Sequence, residues 1–132
     1  MAEYIAGLKP DIFVMDYDHN APNLEFLEKT HENFFKTFRK LQKNVPVVFM
    51  SAPDVRFQGE NWVKRRDVVY RTYENAVASG DRNVYFVDGK NLWGDEDWRM
   101  CSVDAIHPND IGHYRMAQSV VLVIQRILEE LN

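Results

Sequence analysis

Asp104 and His107 stand three residues apart in the segment 101–117, which reads CSVDAIHPNDIGHYRMA. An imidazole that acts as a general base needs a carboxylate to fix its tautomer and to stabilise its cation. One interpretation of the spacing therefore makes His107 a catalytic base and Asp104 its orienting partner. In the other interpretation, Asp104 bonds the amides of a turn and His107 is a partly buried residue at a helix entry.

A second set of polar residues, DYDHN at 16–20, follows an apolar run. A side-chain amide or imidazole just past the end of a strand can donate to a developing oxyanion. Asn20 is the better candidate for that role and His19 the second. Asn20 could equally cap the helix that follows, with His19 as a surface loop residue.

The same segment suggests a different chemistry, because Asp16 and Asp18 after an apolar strand resemble the pattern of an aspartyl-phosphate phosphatase. In such an enzyme one Asp attacks phosphorus and the other is the acid, with magnesium beside them. Ser51 after the next strand fits that scheme, but the expected Gly-Thr after the second Asp is absent. The Asp and His spacings are not typical of a zinc site, and we predict no metal or cofactor for the acid–base chemistry.

Alternating apolar strands and amphipathic helices position these groups. Residues 2–8 resemble the tail of a helix. The predicted strands are 11–17, 46–50 and 84–88, the predicted helices are 22–43, 60–78 and 110–130, and a long loop covers 89–109. This order predicts an α/β fold with a parallel sheet and helices on both faces. Ligands of such sheets bind beyond the carboxyl ends of the strands, where 16–20, 51–54 and the 104–107 turn can meet.

The 132 residues predict one domain, 1–132, with a net charge of −4 that argues against nucleic acid or an anionic membrane as a partner. Cys101 is the single cysteine, so no intrachain disulfide is expected. Residues 1–10 lack the basic start and apolar core of a signal peptide. The basic cluster 64–66 is expected to be a solvated helix face, and His31 a satisfied core histidine.

Three stretches resemble the SGNH (GDSL-type) hydrolase superfamily. Asp-x-x-His-Pro-Asn-Asp-x-Gly at 104–112 resembles its final block, DYDHNAP at 16–22 an altered third block, and 87–94 its last strand and loop. The resemblance implies a three-layer α/β/α, flavodoxin-like fold and an esterase or acyl hydrolase. It also implies that His107 is the base, Asp104 its partner, and Asn20 or His19 the oxyanion donor.

The chain departs from that family at the nucleophile. Its two Gly-Asp pairs, at 80–81 and 94–95, are not followed by serine. The chain therefore resembles the C-terminal part of the domain, with three of its strands, and we expect little activity on an ester unless the missing part completes it. A small-molecule or carbohydrate ester would then be the substrate.

The family's missing first strand would lie beside residues 11–17. Without it these residues form an apolar sheet edge, which predicts a homodimer through that edge. A non-catalytic α/β assembly module remains the third possibility, beside the hydrolase and the phosphatase.

Overall fold

The computed structural model describes residues 1–53 and 55–131. Asp54, in the segment 51–54 predicted to follow the second strand, and Asn132, the last residue of the predicted domain, lie outside these ranges. The helices are α1 (Ala2–Gly7), α2 (Leu24–Leu41), α3 (Glu60–Ala78) and α4 (Asp110–Leu131). The strands are β1 (Phe13–Met15), β2 (Val47–Met50) and β3 (Val84–Val87).

The three strands form one parallel sheet in the order β1-β2-β3, which confirms the predicted α/β class. Phe13 aligns with Val47, and Val47 with Val84. β1 is shorter than the predicted 11–17 because the chain leaves the sheet after Met15 and forms a 3₁₀ turn at Asp18–Asn20. The predicted loop 89–109 contains two further 3₁₀ turns, Gly89–Asn91 and Trp98–Cys101.

The sheet lies between two helical layers, as the alternation of side chains along the central strand shows. Val47 and Phe49 pack into a core with α1, α2 and α3, whereas Val48 and Met50 pack on the opposite face with residues of α4. All four β2 residues are buried. Such a strand reads as a continuous apolar run, which is why sequence pattern located it well.

Helix α2 begins two residues later than predicted because Asn23, rather than Asn20, is its N-cap. The Asn23 side chain accepts a hydrogen bond from Phe26 N at 2.8 Å. The expectation that Asn20 caps this helix is therefore wrong. No helix within the described ranges is long and apolar enough to span a membrane.

Candidate active site

A tight turn in the loop before α4 brings Asp104 and His107 together. Ser102 and Pro108 form an antiparallel bridge, and Val103 N donates to the His107 carbonyl oxygen at 3.0 Å. The turn is anchored at its base by the buried Cys101, whose carbonyl oxygen accepts from Asn109 N at 3.0 Å. Main-chain hydrogen bonds before Asp104 and after His107 thus hold the tip of this turn.

The Asp104 carboxylate bonds both the ring and the backbone of His107. Its Oδ2 lies 2.6 Å from His107 Nδ1, and its Oδ1 accepts from His107 N at 2.7 Å and Ile106 N at 2.9 Å. These donors lower the pKa of Asp104 to about 2, with the bond from His107 N the largest cause, so the carboxyl is ionised at neutral pH. With Nδ1–H donating to Asp104, Nε2 carries the lone pair that can accept a proton.

Both side chains are open to solvent on the described surface: His107 is 73% exposed and Asp104 47%. The turn leads directly into α4, whose first turn is fixed by Asn109. The Asn109 Oδ1 accepts from Ile111 N and Gly112 N, both at 3.1 Å, and its amide donates to Met100 O at 2.7 Å. The predicted start of this helix at residue 110 is confirmed, and His107 lies just before it.

The long loop that carries this turn is tied to the body of the protein at two points. Arg115 of α4 donates to the carbonyl oxygens of Trp93 and Glu96. The rings of Phe57 and Trp98 stack with their centroids 3.8 Å apart and nearly parallel. The loop is therefore held both to α4 and to the turn Val55–Phe57 that follows β2.

The second candidate segment is built around a buried carboxylate. Asp18 is 1% exposed, its Oδ2 accepts from Ala52 N at 3.0 Å, and its Oδ1 accepts from His19 N at 2.7 Å. Because Ala52 lies two residues after the last residue of β2, Asp18 ties the turn after β1 to the end of β2. Arg65 holds the same turn from α3, donating to the main-chain oxygens of Asp18 at 2.5 Å and Ala21 at 3.0 Å.

Arg65 corrects one sequence expectation and is a residue that sequence reasoning missed. It is 6% exposed, whereas the basic cluster 64–66 was expected to be a solvated face. Arg66 also has a partner, since its Nη2 lies 2.6 Å from Asp88 Oδ2. A signal was available: Val68, Val69 and Thr72 share the buried face of α3 with Arg65, at helical spacings of three, four and seven.

His19 is held in place, whereas Asn20 is not. His19 Nδ1 lies 3.2 Å from Asp18 Oδ1 and 3.9 Å from Asp16 Oδ1. The hydrogen bond with Asp18 raises the pKa of His19 and outweighs the opposing effect of burial. For Asp16, in contrast, burial is what raises the pKa, because it disfavours the charged carboxylate. Asn20 is exposed, and its side chain makes no hydrogen bond within the described residues.

Asp16, Asp18 and His19 could together offer ligand atoms to a metal ion, because these atoms lie within 4.8 Å of one another. Both Asp18 oxygens, however, already accept hydrogen bonds. Ser51, the other group in the phosphatase interpretation, is fully buried and its Oγ accepts from Gly89 N at 2.8 Å. Asp18 and Ser51 are thus committed to structural contacts, whereas the Asp16 side chain is 31% exposed.

The structure joins the predicted site residues in two pairs, Asp104 with His107 and Asp18 with His19. Within 1–53 and 55–131, no hydrogen bond or ion pair links one pair to the other. His31 is a core residue, as expected, but only half satisfied: Nδ1 bonds Thr72 Oγ1 at 2.8 Å, while Nε2 is buried without a partner among the described groups. Burial lowers the pKa of His31 to about 4, so this imidazole is neutral.

A parallel α/β sheet with an Asp–His pair before its last helix is an arrangement that serine-dependent ester hydrolases use. The family comparison agrees: the model of the GDSL-like lipase/acylhydrolase family matches residues 1–125. The chain belongs to this family, and the predicted SGNH membership is confirmed. No protein of curated function matches the chain in sequence.

Three solved structures have a similar fold. A protein assigned as a GDSL-like lipase from Bacteroides ovatus ATCC 8483 is 24% identical, with a TM-score of 0.80, over 97% of this chain. A salicylyl-acyltransferase from a tetracycline biosynthetic pathway is 21% identical, with a TM-score of 0.70, over 90%. An active-site mutant of a family two carbohydrate esterase from Clostridium thermocellum is 19% identical, with a TM-score of 0.72, over 91%. The chain spans 39%, 38% and 36% of their respective lengths.

Proposed function

We propose that this chain carries the acid–base half of an ester hydrolase or acyltransferase site, with His107 as general base and Asp104 as its orienting group. The observation that carries the proposal is the 2.6 Å contact between His107 Nδ1 and Asp104 Oδ2. An ionised carboxylate at this position fixes the tautomer and stabilises the imidazolium that forms when Nε2 takes a proton. Family membership supports the reaction class.

The same proposal assigns the oxyanion donor to the turn after β1, to Asn20 or His19. Oxyanion donors act because they are fixed before the reaction begins, so that no reorganisation is needed in the transition state. The two bonds of the Asp18 carboxylate and the two of Arg65 hold this turn rigidly. They support a positioned donor at the end of β1.

The nucleophile is not among these 132 residues in the family's Gly-Asp-Ser form. An oriented imidazole without an activated hydroxyl can deprotonate only water, which is a much slower route to ester cleavage. We therefore propose that the chain by itself has little or no esterase activity. Its substrate, once the site is completed, would be a small-molecule or carbohydrate ester.

Esterase assays test both parts of the proposal. The 132-residue chain should hydrolyse 4-nitrophenyl acetate no faster than free imidazole at equal concentration. Clear turnover that disappears in His107→Ala would contradict the missing-nucleophile part. In a polypeptide that joins these residues to a Gly-Asp-Ser segment, His107→Ala should lower kcat/KM by roughly 10²- to 10⁴-fold. His113→Ala, an exposed histidine on α4, is the matched control and should leave it unchanged.

The phosphatase alternative has less support, because Asp18 is buried and both of its oxygens are occupied. This chemistry needs two carboxylates that both reach the substrate, and of the two only Asp16 is open to solvent. Magnesium-dependent release of phosphate from 4-nitrophenyl phosphate by the wild-type chain, lost in Asp16→Asn, would favour this alternative over the ester hydrolase.

We also propose that the chain forms a homodimer through the edge of β1. The same dimer is expected if the chain is a non-catalytic assembly module. β1 pairs only with β2 among the described strands. An apolar groove of about 460 Å³ runs along its other side, lined by Ile5, Phe13, Val14 and Phe34. A second copy of β1 could extend the sheet across a two-fold axis.

Sedimentation velocity at micromolar concentration tests the dimer. The wild-type chain should sediment as a dimer, and Val14→Lys should shift it to a monomer because a lysine at the contact opposes close pairing. Val63→Lys, at a similarly exposed valine on α3, is the control and should leave the dimer intact. A monomeric wild-type chain, or equal effects of the two lysines, would exclude this interface.

A further inference from the structure

A large groove lies at the end of the sheet opposite to the candidate active site. It has a volume of about 690 Å³ and runs between the C-terminal ends of α2 and α3. Its floor contains Phe35, Thr72 and Ala76, which are 5%, 2% and 5% exposed. Because these residues belong to the packed α2–α3 interface, the groove has a rigid base.

The walls of this groove are strongly basic. Five cationic side chains line it against two carboxylates, in a chain with 20 acidic and 16 basic residues overall. The cations are Lys36, Arg39, Lys40, Lys43 and Arg82. The groove therefore carries an excess of positive charge in a protein whose net charge is negative, and such a region attracts anions.

Two of the five cations already have partners that shape the groove. Lys36 Nζ lies 2.7 Å from Glu32 Oε1, and Arg39 Nε lies 2.8 Å from Asp81 Oδ2. The Arg39 guanidinium also donates to the main-chain oxygen of Val45 at 2.7 Å and to that of Asn83 at 3.2 Å. Arg39 thus ties the segments after α2 and α3 together and holds the groove open.

The other three cations, Lys40, Lys43 and Arg82, have no hydrogen-bond or ion-pair partner within 1–53 and 55–131. We propose that the groove binds an extended acidic peptide segment, whose carboxylates pair with these three side chains.

The spread of the charges favours an extended ligand. Lys36 and Lys40 are four residues apart in α2, which corresponds to roughly 6 Å along the helix axis, and Lys43 lies two residues beyond its last residue. Cations spread over this length match carboxylates along a chain better than one compact anion, which needs convergent donors. The side-chain amides of Asn44 and Asn83 also line the groove and can bond the peptide groups of such a chain.

Single-stranded nucleic acid fits less well. Groove binders of that class stack bases on exposed aromatic rings, and the aromatic residue in this groove, Phe35, is buried. The net charge of −4 adds a general repulsion for a polyanion as long as a nucleic acid.

Fluorescence anisotropy tests the proposal with a fluorescein-labelled peptide of glutamates around one phenylalanine. The wild-type chain should bind this peptide at low salt. Its affinity for the peptide should fall as NaCl is raised to about 0.3 M, because salt screens exposed charge pairs. The triple variant K40Q/K43Q/R82Q should weaken binding by about tenfold, the factor expected for three exposed ion pairs.

The control variant K29Q/K64Q/K90Q removes the same charge from exposed positions outside the groove, and it should bind like the wild type. Absence of binding, or equal weakening in both triples, would overturn the proposal and leave the groove cations only a role at the C-terminal end of α2. Thermal melts of both triples verify that they fold. No ester chemistry enters the measurement, so its outcome is independent of the proposed function.

Discussion

Replacing Asp18 by alanine tests how the turn after β1 is held. The carboxylate is 1% exposed and accepts from two main-chain donors, Ala52 N at 3.0 Å and His19 N at 2.7 Å. Ala52 is itself buried, so its N–H has no access to bulk water. Asp18→Ala therefore removes the acceptor of the bond that joins the turn after β1 to the end of β2, together with the acceptor of a second bond within that turn.

The expected loss of stability follows from these contacts. A buried donor left without a partner costs about 1–3 kcal/mol, and a hydrogen bond to a charged group contributes about 1.5–3 kcal/mol. Asp18→Ala should therefore lower the free energy of unfolding by about 3–5 kcal/mol. At about 3–4 °C per kcal/mol for a domain of this size, Tm should fall by roughly 9–20 °C.

Urea and thermal unfolding, followed by circular dichroism, measure this loss against a matched control. Asp16 is two residues away, 31% exposed, and its one described contact is with His19 at 3.9 Å. Asp16→Ala should cost less than about 1 kcal/mol. If the two alanine variants lose the same stability, the reasoning from the Asp18 contacts is refuted.

Three further predictions concern other parts of the chain. Gly89→Ala would place a methyl group 1.8 Å from the Ala52 carbonyl oxygen, so it should cost more than about 3 kcal/mol in urea unfolding. The folded-state pKa of His31, about 4, lies below its ordinary value of 6.5. The contribution of the neutral imidazole to the free energy of unfolding is therefore full above pH 6.5 and is lost as the pH falls toward 4. Over that window wild type should lose about 3 kcal/mol that His31→Phe does not lose, as urea titrations at each pH would show. The Asp104 carboxyl carbon should show no NMR titration midpoint above pH 3, and His107→Ala should raise its pKa by removing one donor.

Much of the fold could be predicted because its signals are local. The apolar run of β2 and the helical spacing of Leu27, His31, Phe35 and Phe38 place these residues in elements before any packing is known. Element ends were less predictable. The start of α2 depends on which of two nearby asparagines reaches an amide, and Asn23 does so.

The two candidate pairs differ in whether their surroundings depend on residues that are near or distant in sequence. Asp104 and His107 are three residues apart, so a single turn is enough to join them, and the sequence alone indicated that contact. The order of strands and helices likewise determined a parallel sheet, because parallel neighbours need crossover helices.

Only the tertiary structure decided that Asp18 is buried and that Arg65, on α3, donates to its main-chain oxygen. Asp18 bonds Ala52 34 residues away, and Arg65 bonds the Asp18 carbonyl 47 residues away. The basic cluster around Arg65 reads as a solvent-facing patch until α3 packs against the turn after β1. A charged side chain is stable in the interior only where distant groups complete its hydrogen bonds, and no local pattern carries that information.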